Sequence, residues 1–516
     1  MSERIVPAKD GSFTLYKDKT ALHSLYNPGL EAEKFIDSLS LESRDYRCFI
    51  LVEPGLGYMV PALKKKFPSA VLVSLHCSAF FSSPEYALSC RESGAVSWSP
   101  GSDRSSVSLE DFLETVLPDT APDKIRIVEW RPAAAAYGKK FVEILSGTVE
   151  VIRRRAANKA TIRGFGRRWL RNSFRNLGLL RRPAAPGRIG RPVIVSAAGP
   201  SLEEELSVLA SLASSPSPPL LIAVSSSLPC LVSAGLVPDL VVATDGGAWA
   251  LLHLYEAVRL LPGAGKTRDM CFACALSAAL PSQIGEYPAL ILADGSVWQR
   301  YLLGSLGLPF AAFPQRGTVS ASALDLAFFL GSGPVYISGL DLRHADLRTH
   351  CRPYALDRLR DERADRLKPA YSGAFEREAA IRDTKALSIY AAWFKNELAK
   401  YPRRIYAVSE GNSLGIPRAS IPDETDRPGS KTGFFREAAE NIPENAANGV
   451  HILLRGLEDP VVGKQIGAEL GELLFPDEKN VKKADIESEL NLFLPKYQQA
   501  DQTKPTDKGK ETRDRI

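Results

Sequence analysis

Val193-Ile194-Val195-Ser196-Ala197-Ala198-Gly199-Pro200-Ser201-Leu202-Glu203-Glu204-Glu205 decides the fold of this 516-residue chain. The first four residues read as a buried strand and Gly-Pro as a turn. A helix running to about Leu212 follows, opened by three glutamates whose charge suits the positive end of a helix dipole. A Pro/Ser-rich loop at 214–219 leads into a second apolar strand at 220–224. Downstream the pattern repeats: a helix near 228–234, strands at 240–243 and 289–292, a helix at 320–330 and a strand at 334–337. Strands and helices in strict alternation imply right-handed crossovers, and so an α/β, Rossmann-like, doubly wound sheet.

Working outward, residues 47–53, Pro54-Gly55-Leu56-Gly57-Tyr58, a helical run at 59–67 and a strand at 70–75 form a second βαβ beginning, with a further strand at 125–128. The expected organisation is a smaller α/β N-terminal domain (1–150), then a basic helical connector and linker (151–190) in which 183–192 reads as Pro/Gly-rich linker. The central Rossmann-like domain (191–420), a mainly helical C-terminal region (421–501) and a disordered tail (502–516) follow.

Hydrophobic residues make up 45% and charged residues 24%, an ordinary globular profile that excludes fibrous and wholly disordered classes. The net charge of +5 is too mild to argue for nucleic acid, which is not expected as a partner. Residues 151–192 nevertheless hold about a dozen Arg and Lys and no acid, with Phe165, Trp169 and Phe174 interleaved; a solvated helix with an apolar stripe accounts for them. Seven scattered cysteines argue for a reducing compartment, and Cys271 and Cys274 read as buried small residues rather than a zinc pair. No window approaches the length of a membrane span, so a cytoplasmic protein without membrane insertion is expected.

Two glycine turns join a strand to a helix, the geometry in which free backbone amides can hold a phosphate. Glu53-Pro54-Gly55-Leu56-Gly57 lacks the third glycine of a dinucleotide loop and reads first as a tight structural turn. Gly199-Pro200-Ser201 is the sharper candidate, although Glu203 to Glu205 would repel a phosphate. Asp245, after the strand at 240–243, could bind a hydroxyl or a cation or simply shape its turn. Gly317, Thr318 and Ser320 open another helix, as ligand contacts or as its cap. Gly339, Asp341, His344 and His350 follow the strand at 334–337, and a histidine there is a candidate general base.

The run from Val195 to Leu202, then Gly235-Leu236-Val237-Pro238-Asp239 through Thr244-Asp245, then Gly317 to Ser320, then Ser338-Gly339-Leu340-Asp341-Leu342 with His350 downstream resembles the central domain of the motility-associated factor (Maf) flagellin glycosyltransferases. Tyr406 to Ile416 resembles the closing strand and turn of that domain, and Gly55-Leu56-Gly57-Tyr58 is similar to the family's N-terminal domain. The resemblance implies a fold similar to bacterial sialyltransferases. It also implies transfer of a nonulosonic, sialic-acid-like sugar from a CMP-activated donor to Ser or Thr of flagellin in the cytoplasm. No cofactor is implied beyond the CMP-sugar substrate, and Mg²⁺ is not expected.

On that resemblance Ala198, Gly199, Pro200, Ser201, Ser225, Asp245, Gly317, Thr318, Ser320 and Gly339 would line the nucleotide-sugar site, with His350 and Asp341 catalytic. Ala198 departs from the Asn that bacterial sialyltransferases carry before Gly-Pro-Ser. The same central pattern also resembles 6-hydroxymethylpterin pyrophosphokinases, which would use ATP and Mg²⁺ held by Asp245 and Asp341. A non-catalytic flagellin-binding protein or chaperone, and methyl transfer at the N-terminal glycine turn, are the remaining alternatives.

Overall fold

A computed structural model describes residues 3–39, 41, 45–90, 94–101, 107–118, 120–261, 270–314, 316–343, 348–373, 375–376, 379, 386–398, 401, 404–410, 413–421, 435–437, 448–478 and 481–493. His344, Gly411, Asn412 and the tail 502–516 lie outside them. The chain forms two compact units, residues 1–161 and 162–516.

The first unit opens with a hairpin that carries no strong sequence signal: β1 (Glu3–Pro7), β2 (Phe13–Lys17) and β3 (Thr20–Ala21), paired antiparallel. Its parallel sheet comprises β4 (Cys48–Val52), β5 (Val71–Leu75), β6 (Val96–Trp98) and β7 (Ile125–Glu129), in the order β6-β5-β4-β7. All five residues of β4 are buried, as expected for a central parallel strand covered on both faces.

The second unit begins within the basic helix Lys139–Leu179. Two short strands, β8 (Ala184–Pro186) and β17 (Phe435–Glu437), pair antiparallel. Residues 183–192 are therefore not the linker that their Pro and Gly suggest: Ala184 and Ile189 are buried and Pro183 bridges to Ala289. A short strand containing proline is tolerated because it sits at an edge, and the division of the chain falls earlier, at residue 161.

The main sheet contains β9 (Val193–Ser196), β10 (Leu220–Val224), β11 (Leu240–Ala243), β12 (Cys271–Ala275), β13 (Ala289–Ala293), β14 (Phe310–Ala312), β15 (Val335–Ser338) and β16 (Ile405–Ala407). All pairings are parallel, in the order β14-β13-β12-β11-β10-β9-β15-β16. The chain thus lays strands outward from β9 to β14, then returns to place β15 on the other side of β9. Cys274 is buried within β12, and three residues of separation along a strand put Cys271 and Cys274 on opposite faces, which suits packing rather than a shared metal.

Two cores sandwich this sheet. One packs the helices Leu202–Ala213 and Val319–Leu330 against β9, β10 and β15. The other packs Leu170, Phe174 and Leu177 of the basic helix and the C-terminal helices Asn448–Glu458, Gly463–Leu474 and Lys483–Asn491 against β11 to β13. No helix among the described residues is long and apolar enough to cross a membrane.

Candidate functional site

The strands that follow β9 and β15 lie on opposite sides of this pair, so the β9–β15 boundary is the topological switch point, where α/β folds bind ligands at the carboxyl edge of the sheet. Gly199-Pro200-Ser201 lies there, against Gly339 and Asp341. Ala197 N donates to Ser338 O at 2.8 Å and Gly199 N to Gly339 O at 2.6 Å. Ser201 N donates to Asp341 Oδ2 at 2.8 Å, and Leu202 N to Gly199 O at 3.1 Å. The amides that the sequence reserves for a phosphate therefore donate within the protein. The reason is electrostatic: β15 delivers a buried carboxylate to the positive end of the helix Leu202–Ala213.

Gly199 is required by this neighbour rather than by a ligand, since a Cβ there would stand 2.4 Å from Asp341 Oδ2 and 2.5 Å from Gly339 O. Gly339 has φ +65°, and its own Cβ would meet Ala197 O at 2.6 Å. Ala198 keeps its methyl buried and presents its carbonyl, which accepts from Cys351 N at 2.8 Å.

The three glutamates are not alike. Glu205 is in helical phase with Leu202 and Leu209 and is buried with them. It accepts from Ser338 Oγ, from Gly339 N at 3.1 Å and from Ser409 Oγ, so one carboxylate ties together the ends of β15 and β16. Burial raises its pKa, against the opposing effect of these donors, and the charge of Asp341 adds to the rise. Glu203 pairs with Arg348 and accepts from Arg352 N at 2.8 Å. Two of the three carboxylates expected to repel a phosphate are thus committed to holding loops.

That clamp pins His350. The residue is half-buried between Arg348 and Arg352, with Thr349 Oγ1 at 2.8 Å from its Nδ1 and its ring stacked on Tyr354 at 4.1 Å and 9°. Tyr354 packs in turn on the buried His253, at 4.8 Å and 36°. Arg343 and Arg352, on the same loop, are exposed.

Residues 168–346 match the family model described as 6-hydroxymethylpterin diphosphokinase MptE-like. A solved structure of a Maf glycosyltransferase from Magnetospirillum magneticum AMB-1 superposes with a TM-score of 0.57 over 96% of this chain and 85% of that one, at 12% identity. The chain is Maf-like in fold. A Treponema pallidum (strain Nichols) protein described as uncharacterized is 29% identical over 297 residues, 57% of this chain. The chain spans 62% of the length of that relative.

In this Maf-like sheet the other expected site residues occupy neighbouring loops, each satisfied locally. Ser225 is buried at the end of β10, its amide donating to Val242 O at 2.9 Å. Asp245 is exposed after β11 and accepts from Gly247 N at 2.7 Å, the turn-shaping alternative. Thr318 caps the helix Val319–Leu330 by accepting from Ala321 N at 3.1 Å. Gly317 lies against Tyr390, 2.9 Å from where a Cβ would stand, and Ser320 falls in the first turn of that helix.

Sequence reasoning missed the residues that hold this edge. Asn172 Nδ2 donates to Gly246 O at 3.2 Å and Ser277 O at 3.0 Å; Asn176 Nδ2 donates to Leu276 O at 2.9 Å and Ala278 O at 2.8 Å. Their i,i+4 spacing on the basic helix, in phase with Trp169 and Ser173, was the available signal.

The N-terminal glycine turn is filled by protein. His23 Nε2 accepts from Leu56 N at 2.8 Å, Glu53 Oε1 accepts from Gly55 N at 3.3 Å, and Gly57 N donates to Pro54 O at 3.1 Å. A Cβ on Gly55 would stand 2.3 Å from His23 Nε2. This is the packed structural turn, and it withdraws from methyl transfer the amides that the chemistry would need.

Proposed function

We propose that this protein is a glycosyltransferase that moves a nonulosonic sugar from a CMP-activated donor to Ser or Thr of flagellin in the cytoplasm. The observation that supports the reading is the 2.8 Å bond from Cys351 N to Ala198 O, which ties the backbone next to His350 to the residue that precedes the Gly199-Pro200-Ser201 turn at the switch point of the sheet. The likeness in fold to a Maf glycosyltransferase supports it. In this mechanism His350 takes the proton of the acceptor hydroxyl as its oxygen attacks the anomeric carbon, and the bonding pair leaves with the nucleotide phosphate. Because the turn amides are committed, the exposed Arg343 and Arg352 meet the charge of the leaving phosphate.

A pyrophosphokinase would need Asp245 and Asp341 on a metal; each accepts a backbone amide through one oxygen, and Asp341 is buried. Thermal-shift measurements with CMP, CDP, ATP plus Mg²⁺ and S-adenosylmethionine separate the readings. Stabilisation by CMP alone, lost in Ser201→Trp, supports the transferase. A response only to ATP with metal replaces it by pyrophosphoryl transfer, and silence to all four favours a flagellin-binding protein.

A further inference from the structure

We propose that Cys230 and Cys351 are a redox pair that hydrogen peroxide closes to a disulfide, locking the loop that carries His350 to the helix Leu228–Ser233. Separate hydrogen bonds bring both residues to the end of β9. Ser227 Oγ donates to Ser196 O at 3.1 Å, and Leu231 N donates to Ser227 O at 3.1 Å, which fixes the first turn of that helix beside Ser196. From the β15 side, Cys351 N donates to Ala198 O at 2.8 Å. The two thiols meet there, hydrogen-bonded to each other, and both are fully buried in one apolar core. Cys48, Cys77 and Cys90 belong to the first unit, and Cys271 and Cys274 take opposite faces of β12.

Contact between two thiols prepares them for oxidation. It lowers the pKa of Cys230 and raises that of Cys351, with burial adding to the rise, so the pair gives up one proton well before the second. The thiolate attacks one peroxide oxygen, the O–O bond breaks, and hydroxide leaves and takes up a proton as water. Cys351 Sγ then attacks the sulfenic sulfur, and its proton departs with the hydroxyl as a second water. Two thiols and one peroxide thus give one disulfide and two waters. Cys351 lies beneath a short loop in which Thr349 and His350 are half-buried and Arg352 is exposed, so local opening of a few residues admits so small an oxidant. Closure brings the sulfurs to about 2 Å and moves the backbone beside His350. A dithiol reverses it.

The test maps the bond. The reduced full chain is treated with hydrogen peroxide, alkylated with N-ethylmaleimide in denaturant, digested without reductant and read by mass spectrometry. A linked Cys230–Cys351 peptide is expected from the folded protein, with Cys48, Cys77, Cys90, Cys271 and Cys274 alkylated. Alkylation of both thiols after treatment, or a link that forms only in urea, overturns the proposal. The oxidised wild type should also melt above its reduced form and return with dithiothreitol; an unchanged or lower melting temperature removes the lock. Cys230→Ala and Cys351→Ala should show no peroxide shift, and a shift of wild-type size in either assigns it to other residues.

These readouts need no CMP-sugar, so their failure is distinguishable from failure of the transfer reading. Where transfer is observed, a consequence that rests on His350 being its base, oxidation should lower kcat about tenfold or more and dithiothreitol should restore it. An unchanged kcat in the linked protein removes control of the loop.

Discussion

Asp341 Oδ2 accepts the Ser201 amide at 2.8 Å across the β9–β15 crevice. A carboxylate from one loop therefore occupies the helix N-terminus of the other, and the crevice floor is locked by the protein's own charge. Asp341→Ala strands the Ser201 N–H and is expected to cost about 1.5–3 kcal/mol, the range for a hydrogen bond to a charged group. Asp341→Asn keeps an acceptor and should cost less. Urea unfolding of both variants checks the order, and equal midpoints would show that a neutral acceptor at this position contributes nothing.

Gly199→Ala and Gly339→Ala should each destabilise by more than about 1 kcal/mol. The added methyl at Gly199 meets a carboxylate and a backbone carbonyl, and that at Gly339 meets a carbonyl at positive φ. Gly304, inside the helix Val297–Ser305 with nothing within 4 Å, supplies the control. Gly304→Ala should stabilise by about 0.5–1 kcal/mol. Thermal melts of the three proteins test this, and a stabilised Gly199→Ala would mean that Asp341 is free to retreat.

Acid should weaken the first unit through His23. Burial holds this residue at a pKa of about 3, against 6.5 for the free group, while Nε2 accepts from Leu56 N. Below pH 6.5 the unfolded chain binds a proton that the folded one refuses, so stability falls as pH drops from 6.5 toward 3, by about 1.4 kcal/mol per unit in the steep range. Replacing His23 with Gln removes the titrating group and should flatten the slope of unfolding free energy against pH over that window. A parallel slope in the variant would assign the acid sensitivity elsewhere.

The alternation from Val193 onward made the sheet legible, because buried parallel strands are apolar runs bounded by turn residues. Strand β12 escaped because Cys271-Phe272-Ala273-Cys274-Ala275 is short and built mostly of small residues, without the β-branched run that marks its neighbours. Strand β8 was read as linker because its partner, Phe435–Glu437, is remote in sequence, and a two-stranded pairing leaves no local periodicity. At the site, Gly199-Pro200-Ser201, Asp341 and His350 were recognisable as residues, but their mutual satisfaction was not. Which amides remain available depends on the neighbour that β15 brings alongside β9, and strand order is not written in either segment.

Glu205 gives the sharpest test of how the edge is held. Three donors, Ser338 Oγ, Gly339 N and Ser409 Oγ, converge on its carboxylate, which is 4% exposed. Glu205→Gln is close to isosteric but replaces one accepting oxygen with a donating NH₂, so at least one of these donors faces a donor. The expected cost is about 1–3 kcal/mol, the penalty of an unsatisfied buried polar group. Ser409→Ala in the Gln background should return part of that loss, because it removes a donor that has lost its acceptor. A double-mutant cycle by chemical denaturation measures the coupling. Additive losses would mean that Ser409 and Glu205 act independently, and that the ends of β15 and β16 are joined by the strand ladder without help from this carboxylate.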